Sequence, residues 1–442
     1  MASTKLSRTS GTPTSSKKFT ISYWVKRSNL GSAGGAAGHI FDTYVDGTNR
    51  SQIGFDSDAV IDFRLQVSGS NTGRLLTNRK FRDISAWYHI VASVDTTLGT
   101  ADDRIKLYVN GVQETSFSSR INPSVNADFP MGGTHTIGAY GGGTNYFDGT
   151  LSYFAFVDGS QELPTVFGET NAATGIWKIK TSPSVTYGTN GFFLKMDTSS
   201  PGSDTSGNNN TFTASGTPTL AQDNASNNLV TMNPLDNYYA AGTFSNGNTT
   251  VTTSNSNYAR NSSTIGMATG KWYSEYKVGS ITGSGGIYIG ITGDLATGTG
   301  GNTGNSPFSY AYASNGTKHF NGSSSSFGDS YTTGDIIGVA LDATNSKIWW
   351  SKNGTWQASG DPSNGSNAAY TVVATSLTTI GAYFWSFSDN DNSEYFTCDC
   401  NFGSPYFAIS SGNADADGFG NFEYAVPTGF FALCTKNLAE YG

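Results

Sequence analysis

Only three cysteines, Cys398, Cys400 and Cys434, occur in 442 residues, too few for a disulfide framework to hold the fold. Cys398 and Cys400 stand two apart in FTCDCNFG, so on a strand they share one face, a poor geometry for a bond between them. They read as buried thiols, with a bridge from Cys434 to one of them left open. No apolar run approaches the ~18 residues of a membrane-crossing helix, so no membrane insertion is expected. The opening MASTKLSRTSGTPTSSKKFTISYWV carries Lys5 and Arg8 without an apolar segment of secretory length behind them. Such a chain is made in a cytoplasm and leaves it, if at all, by another route. Charge is also scarce, with 25 basic against 33 acidic residues and no long block of either sign. Neither a nucleic-acid stripe nor a polybasic membrane patch is visible, and the formal charge of −8 mainly favours solubility.

What the chain does have is 55 glycines, abundant Ser, Thr and Asn, and 13% aromatic residues. This mixture suits short strands joined by many turns and is poor in helix formers. The predicted fold class is all-β, two antiparallel β-sandwiches in tandem, because the length exceeds one typical core. Strand-like stretches run FTISYWVKR, GHIFDTY, IDFRLQV, WYHIVASVD, DRIKLYVNG, THTIGAY and LSYFAFVDG, each bounded by Gly, Asn, Asp or Ser. In RIKLYVNGVQE, Ile105, Leu107 and Val109 share one face, Lys106 and Tyr108 the other, and Asn110 and Gly111 supply a tight hairpin turn. Pro164 in LPTVFGE is placed for the first turn of a brief helix. Residues 201–237 have few apolar side chains and read as a polar connector with an edge strand at Phe212. A second train follows, with its own hairpin at Asn353 and Gly354. The predicted division is 1–200 for the first sandwich, 238–410 for the second and 411–442 for an aromatic tail that packs on something.

Residues 19 to 197 resemble the laminin G-like, concanavalin A-like jelly roll, carried by FTISYWVKRS, WYHIVASVD, IKLYVNGVQ and YFDGTLSYFAFVDG in that family's order. Residues 240 to 408 resemble a SPRY domain through GKWYSEYKV, YIGIT, GDIIGVALD, KIWWSKNGTW and CNFGSPYF. The opening MASTKLSRTSGTPTSSKKFTISYWVKRS, the segment SNNLVTMNPLD and the ending PTGFFALCTKNL resemble virion proteins of tailed phages, marine ones especially. The SPRY resemblance implies that Trp350, in phase with Ile348, points inward and that Trp349 lies on the outer sheet face. An outward indole either packs under a neighbouring segment or serves as a ligand platform.

Glycosidases of the concanavalin-like fold need two carboxylates beside a cleft, commonly from alternate residues of one strand. The seven glutamates, Glu114, Glu162, Glu169, Glu275, Glu394, Glu423 and Glu440, form no Glu-x-Asp-x-Glu run, and the spacing of Glu394 and Asp399 puts them on opposite faces. Two acidic groups converging in a groove of the jelly-roll half would overturn this reading. His39, His89, His135 and His319 have no triad context, and His89 in WYHIVASVD reads as a packed or half-exposed strand residue. No His pair at i, i+4 and no partnering cysteine pair suggests a metal, and no cofactor is expected. Calcium is worth weighing at Asp95, Asp102 and Asp103, against a solvated acidic loop. Glycine-rich GAYGGGTNY and GTGTGGNTGN lack the lysine and helix of a phosphate loop.

These observations lead to an expected non-enzymatic phage virion protein displayed as fibre, decoration or adhesin, a homo-oligomer whose partners are other virion proteins. A carbohydrate-binding module for host glycan is the alternative, with Trp349, Trp356 and Trp385 as candidate stacking residues. An extracellular glycan hydrolase comes third. In an oligomer the aromatic tail would have a place at a subunit contact.

Overall fold

Alternation decides the strands. In Ile105–Val109 the side chains of Ile105, Leu107 and Val109 are buried in the core, and Asn110 and Gly111 take φ of 49° and 82° in the following turn, the signature of a type I′ hairpin. Asn353 and Gly354 repeat the device at 48° and 79°. The computed structural model describes residues 4–30, 38–141, 143–197, 199–236, 242–254, 258, 260–281, 286–294, 301–390 and 395–442. Glu394 and part of the glycine-rich stretches singled out above lie outside the described residues. The chain divides into two units, Met1–Leu220 with Asn224–Ser226, and Ala221–Asp223 with Asn227–Gly442. Among the described residues the one α-helix is Thr435–Tyr441, and Pro164 opens the 3-10 turn Pro164–Val166.

The first unit is a sandwich of two antiparallel sheets. The larger runs edge to edge through Phe117–Ile121, Ser70–Thr77, Ile61–Val67, Arg50–Phe55, His39–Tyr44, Gly133–Ile137, Lys5–Ser10 and Thr213–Ser215. The smaller runs through Phe192–Leu194, Gly149–Asp158, Lys18–Arg27, Tyr88–Asp95, Ile105–Val109 and Val112–Gln113. Between them Ile53, Phe63 and Leu75 of one sheet meet Phe19, Val25 and Ile90 of the other. Cross-strand register therefore lines polar residues on the opposite face of the larger sheet, where Gln52 stands beside Arg64 and Arg64 beside Arg74.

In the second unit the larger sheet runs Thr243–Ser245, Thr250–Thr252, Phe396–Asn401, Lys271–Ile281, Ile336–Asp342, Lys347–Lys352 and Thr355–Trp356. Its inner face packs on a sheet containing Ile287–Thr292, Ser309–Ala313 and Phe384–Asp389. Its outer face is covered by the C-terminal tail. Phe422, Phe430 and Ala432 pack on Tyr273, Ala340 and Trp349, and Phe431–Ala432 pairs in parallel with Trp272 and Tyr273. The expected subunit contact for these aromatics is corrected accordingly, since the chain buries them against its own sheet.

In the segment read as a polar connector the expected edge strand forms, beside Phe212 at Thr213–Ser215, but the connector reading is corrected. Phe212 is buried against Phe192, with ring centroids 4.6 Å apart, and Thr213–Ser215 pairs with Lys5–Ser10, so the first part completes an edge of the first unit. Leu229, Val230 and Met232 are buried in the second unit. One buried aromatic in the first unit and three clustered apolar residues in the second anchor a stretch whose average composition looks unstructured.

Candidate functional site

Outward-facing residues of three neighbouring strands shape a groove of about 240 Å³ on the larger sheet of the first unit. His39 comes from His39–Tyr44, Arg50 and Gln52 from Arg50–Phe55, and Asp62 and Arg64 from Ile61–Val67. Asp56 in the turn after Phe55 closes one side, and Tyr140 and Asn145 close another. The segment carrying Tyr140 is pinned by Asp42, whose Oδ2 accepts the Gly141 N–H at 2.9 Å. Around the Tyr140 ring stand the Arg50 guanidinium, 4.6 Å from its centroid, and the His39 ring, edge-on at 5.2 Å.

Two of the groove's carboxylates are already engaged. Arg74 forks onto Asp62, donating from Nε at 3.0 Å and from Nη2 at 2.8 Å, the geometry of a strong charge-assisted pair. Arg64 donates to the same carboxylate through Nε at 2.5 Å and lies 3.9 Å from Asp56 through Nη2. The acidic convergence set out above as overturning the non-catalytic reading is thus present in part, but Asp62 has its lone pairs taken up by guanidinium groups. A pattern of alternate residues on one strand does not contain the pair, because Asp56 lies in the turn and Asp62 on the strand that follows it.

Other groups in and beneath the groove are buried without any hydrogen-bond partner: Arg50 Nη1, Gln52 Oε1, Asp42 Oδ1 and His39 Nδ1. A buried polar atom left unmet costs about 1–3 kcal/mol, so these atoms are a local cost to the stability of the sheet. Burial pushes the Asp42 carboxyl up to about 6, against the pull of the Gly141 amide and Arg50. Burial, with Arg64 and Arg50 adding to it, lowers His39 to about 4, so its imidazole is neutral at neutral pH. Donors and acceptors stand side by side over a mostly polar surface.

The tryptophans proposed from sequence lie elsewhere. Trp350 is in the core with Ile348, and Trp349 is on the outer face, as the SPRY pattern implies. Trp349 is only 1% exposed, standing edge-on to Phe430 at 6.1 Å and donating Nε1–H to the Ser366 carbonyl at 2.8 Å. Trp385 is wholly buried in the core, paired with Ile291. The structure therefore corrects the stacking role proposed for both, because neither indole face reaches solvent. Trp356 is half-buried, edge-on to Tyr273 at 6.4 Å.

The acidic loop is internally neutralised. Asp95 pairs with Lys18 at 3.0 Å, Asp103 with Lys106 at 3.0 Å and Asp102 with Arg120 at 3.2 Å, and among the described residues no cluster of three or more His, Cys, Asp or Glu is placed for a metal. Cys398, Cys400 and Cys434 are buried free thiols. His89 is fully packed between Trp24 at 4.8 Å and Trp177 at 5.9 Å. Trp177 Nε1–H donates to His89 Nδ1 at 3.0 Å, so the proton sits on Nε2, facing Ser22 Oγ at 2.9 Å.

Residues 2–162 match the Concanavalin A-like lectin/glucanases superfamily and residues 271–375 match the SPRY domain. No curated protein matches the chain. Among solved structures, the SPRY domain of human HERC1 is 18% identical, with 38% of this chain and 96% of that one covered and a TM-score of 0.30. A human SPRY domain is 13% identical over 34% of this chain and 90% of that one, at 0.26. The native heptameric SAP-like pentraxin from Limulus polyphemus is 19% identical over 36% and 77%, at 0.25. None of these likenesses bears on what the chain binds. From the matched residues and the paired antiparallel sheets, the chain carries a concanavalin A-like domain followed in tandem by a SPRY domain.

Proposed function

We propose that the chain is a non-enzymatic surface-contact protein of a tailed-phage-type virion, with the groove of its first domain as the place where it meets host glycan. The observation that carries the contact reading is the polar groove lined by Arg50, Gln52 and Tyr140, whose Asp62 is held by Arg64 and Arg74. Such a surface binds through hydrogen bonds and offers no free carboxylate pair for glycosidic cleavage. The virion setting is supported by the resemblance of the opening, of SNNLVTMNPLD and of PTGFFALCTKNL to phage virion proteins. In this reading the neighbours are other virion proteins and the chain assembles as a homo-oligomer. Mass spectrometry of purified particles tests it: the chain is expected in many copies per particle, and recovery only from infected-cell lysate would reject the virion setting.

A further inference from the structure

We propose that Asn246 is a site of self-modification in the second domain: the Gly247 nitrogen closes its carboxamide into a succinimide, which water opens to aspartate and isoaspartate. The attacking group is the backbone nitrogen of the following residue, and glycine, with no Cβ, lets it approach most closely. Asn110, Asn190, Asn246, Asn315, Asn321, Asn353 and Asn364 are each followed by glycine, so the dipeptide alone does not separate them. Hydrogen bonding does. Ring closure needs a carboxamide able to turn and a glycine N–H not given to an acceptor. Asn110 Oδ1 accepts the His89 N–H at 2.8 Å, and Asn353 Oδ1 that of Ile336 at 2.8 Å. Asn190, Asn315 and Asn364 are held twice, since each Oδ1 accepts a backbone N–H and the following glycine N–H donates to a carbonyl. After Asn321, the Gly322 N–H donates to the Gly304 carbonyl at 3.1 Å.

Asn246 differs on each count. It is exposed, in the turn between Thr243–Ser245 and Thr250–Thr252. Its carboxamide is held by a single bond, Nδ2 to Thr250 Oγ1 at 2.9 Å, and among the described residues no acceptor takes the Gly247 N–H. Nothing among them lies within 4 Å of a Cβ built on Gly247, so the nitrogen has room to swing toward Cγ. The Thr249 hydroxyl donates to the Asn246 carbonyl at 2.7 Å. That carbonyl shares its peptide group with the Gly247 nitrogen, so the bond draws electron density from the nitrogen and eases loss of its proton. The N–Cγ bond then forms, the Cγ–Nδ2 bond breaks, and the proton passes through water to the departing nitrogen, which leaves as ammonia. Water reopens the ring at Cγ to give aspartate, or at the former Asn246 carbonyl to give isoaspartate. Either product lacks the N–H that Thr250 accepted, and it sets a second negative charge near Asp399, to which the Thr250 hydroxyl donates. Isoaspartate also adds a carbon to the turn. Both changes loosen Thr243–Ser245, the edge strand of the larger sheet.

The test is peptide mapping by mass spectrometry of the full chain aged at mildly alkaline pH, folded or in urea, with electron-transfer fragmentation to tell aspartate from isoaspartate. In the folded chain Asn246 is expected to convert about tenfold or more faster than Asn190, Asn315 and Asn364, whose hydrogen bonds must open first. In urea that lead is expected to vanish. Thr249→Val should slow the folded reaction severalfold and leave the rate in urea unchanged, while Thr249→Ser, which keeps the hydroxyl, should keep the folded rate. Aged protein should exchange the amide hydrogens of Thr243–Ser245 faster than fresh protein. An Asn246 that reacts no faster than the three doubly held residues in the folded chain, or that leads equally in urea, would overturn the inference. The outcome is independent of whether the first domain meets glycan.

Discussion

Glu275 is a buried carboxylate satisfied by four donors at once. It accepts the backbone N–H groups of Glu423 at 2.9 Å and Tyr424 at 2.8 Å, Asn401 Nδ2 at 3.2 Å and the Tyr273 hydroxyl at 3.0 Å. Burial raises its carboxyl above the ordinary range, opposed by those amides. Its role is to tie the tail to the sheet, so Glu275→Gln, which turns an amide donor toward donors, is expected to cost about 1–3 kcal/mol, read as a lower urea midpoint of the second domain. The same scale shows what was legible in single residues. The direction of Trp349 and Trp350 followed from strand alternation and the SPRY pattern, because the period of two is a local property. What covers Trp349 was not legible, since Phe430 lies far along the chain. Nor was the groove, because Asp56, Asp62, Gln52 and Arg50 meet only through the register of neighbouring strands.

Hairpins set that register, and the one at Asn110 and Gly111 is constrained twice. Gly111 has φ of 82°, and a Cβ built on it would meet the Trp177 ring at 2.5 Å. Left-handed backbone alone costs an L-residue roughly 1–2 kcal/mol, so Gly111→Ala is expected to destabilise the first domain by at least that amount. The displaced Trp177 should also loosen its bond to His89, visible as altered tryptophan fluorescence in the folded variant. Elements built on alternation and turn chemistry were readable from sequence, as Ile105–Val109 and Pro164–Val166 illustrate. In the stretch 201–237 the edge strand beside Phe212 was readable, but the packing of the rest was not, because its anchoring residues are too few to produce a period, and their burial depends on cores formed elsewhere in the chain.

On the scale of the whole molecule, the two domains carry their buried titratable groups unequally. In the first, burial lowers His39 and His135 to about 4 and His89 to about 3. The folded domain therefore binds fewer protons than the unfolded chain below the ordinary histidine value. The stability these histidines contribute is present above pH ~6.5 and is lost as pH falls through their folded values. Asp42, raised to about 6, and Asp148, also raised by burial, act oppositely, with stability full below their unfolded values and lost as pH rises, but they are two groups against three. The second domain has only His319, lowered and half-buried. Lowering the pH from 7 to about 4.5 is thus expected to cost the first domain several kcal/mol and the second much less, seen as two separated urea transitions; a first domain with unchanged midpoint would contradict this. Composition and turn chemistry made the all-β tandem legible at this scale, while the groove depends on the pairing register of three strands, which alternation within one strand does not specify. The most direct measurement is a joint assay of the full chain with neutral oligosaccharides, following binding and release of new reducing ends together. The account predicts binding that Gln52→Leu weakens and no release of reducing ends; cleavage that disappears in Asp42→Asn or Asp62→Asn would contradict it.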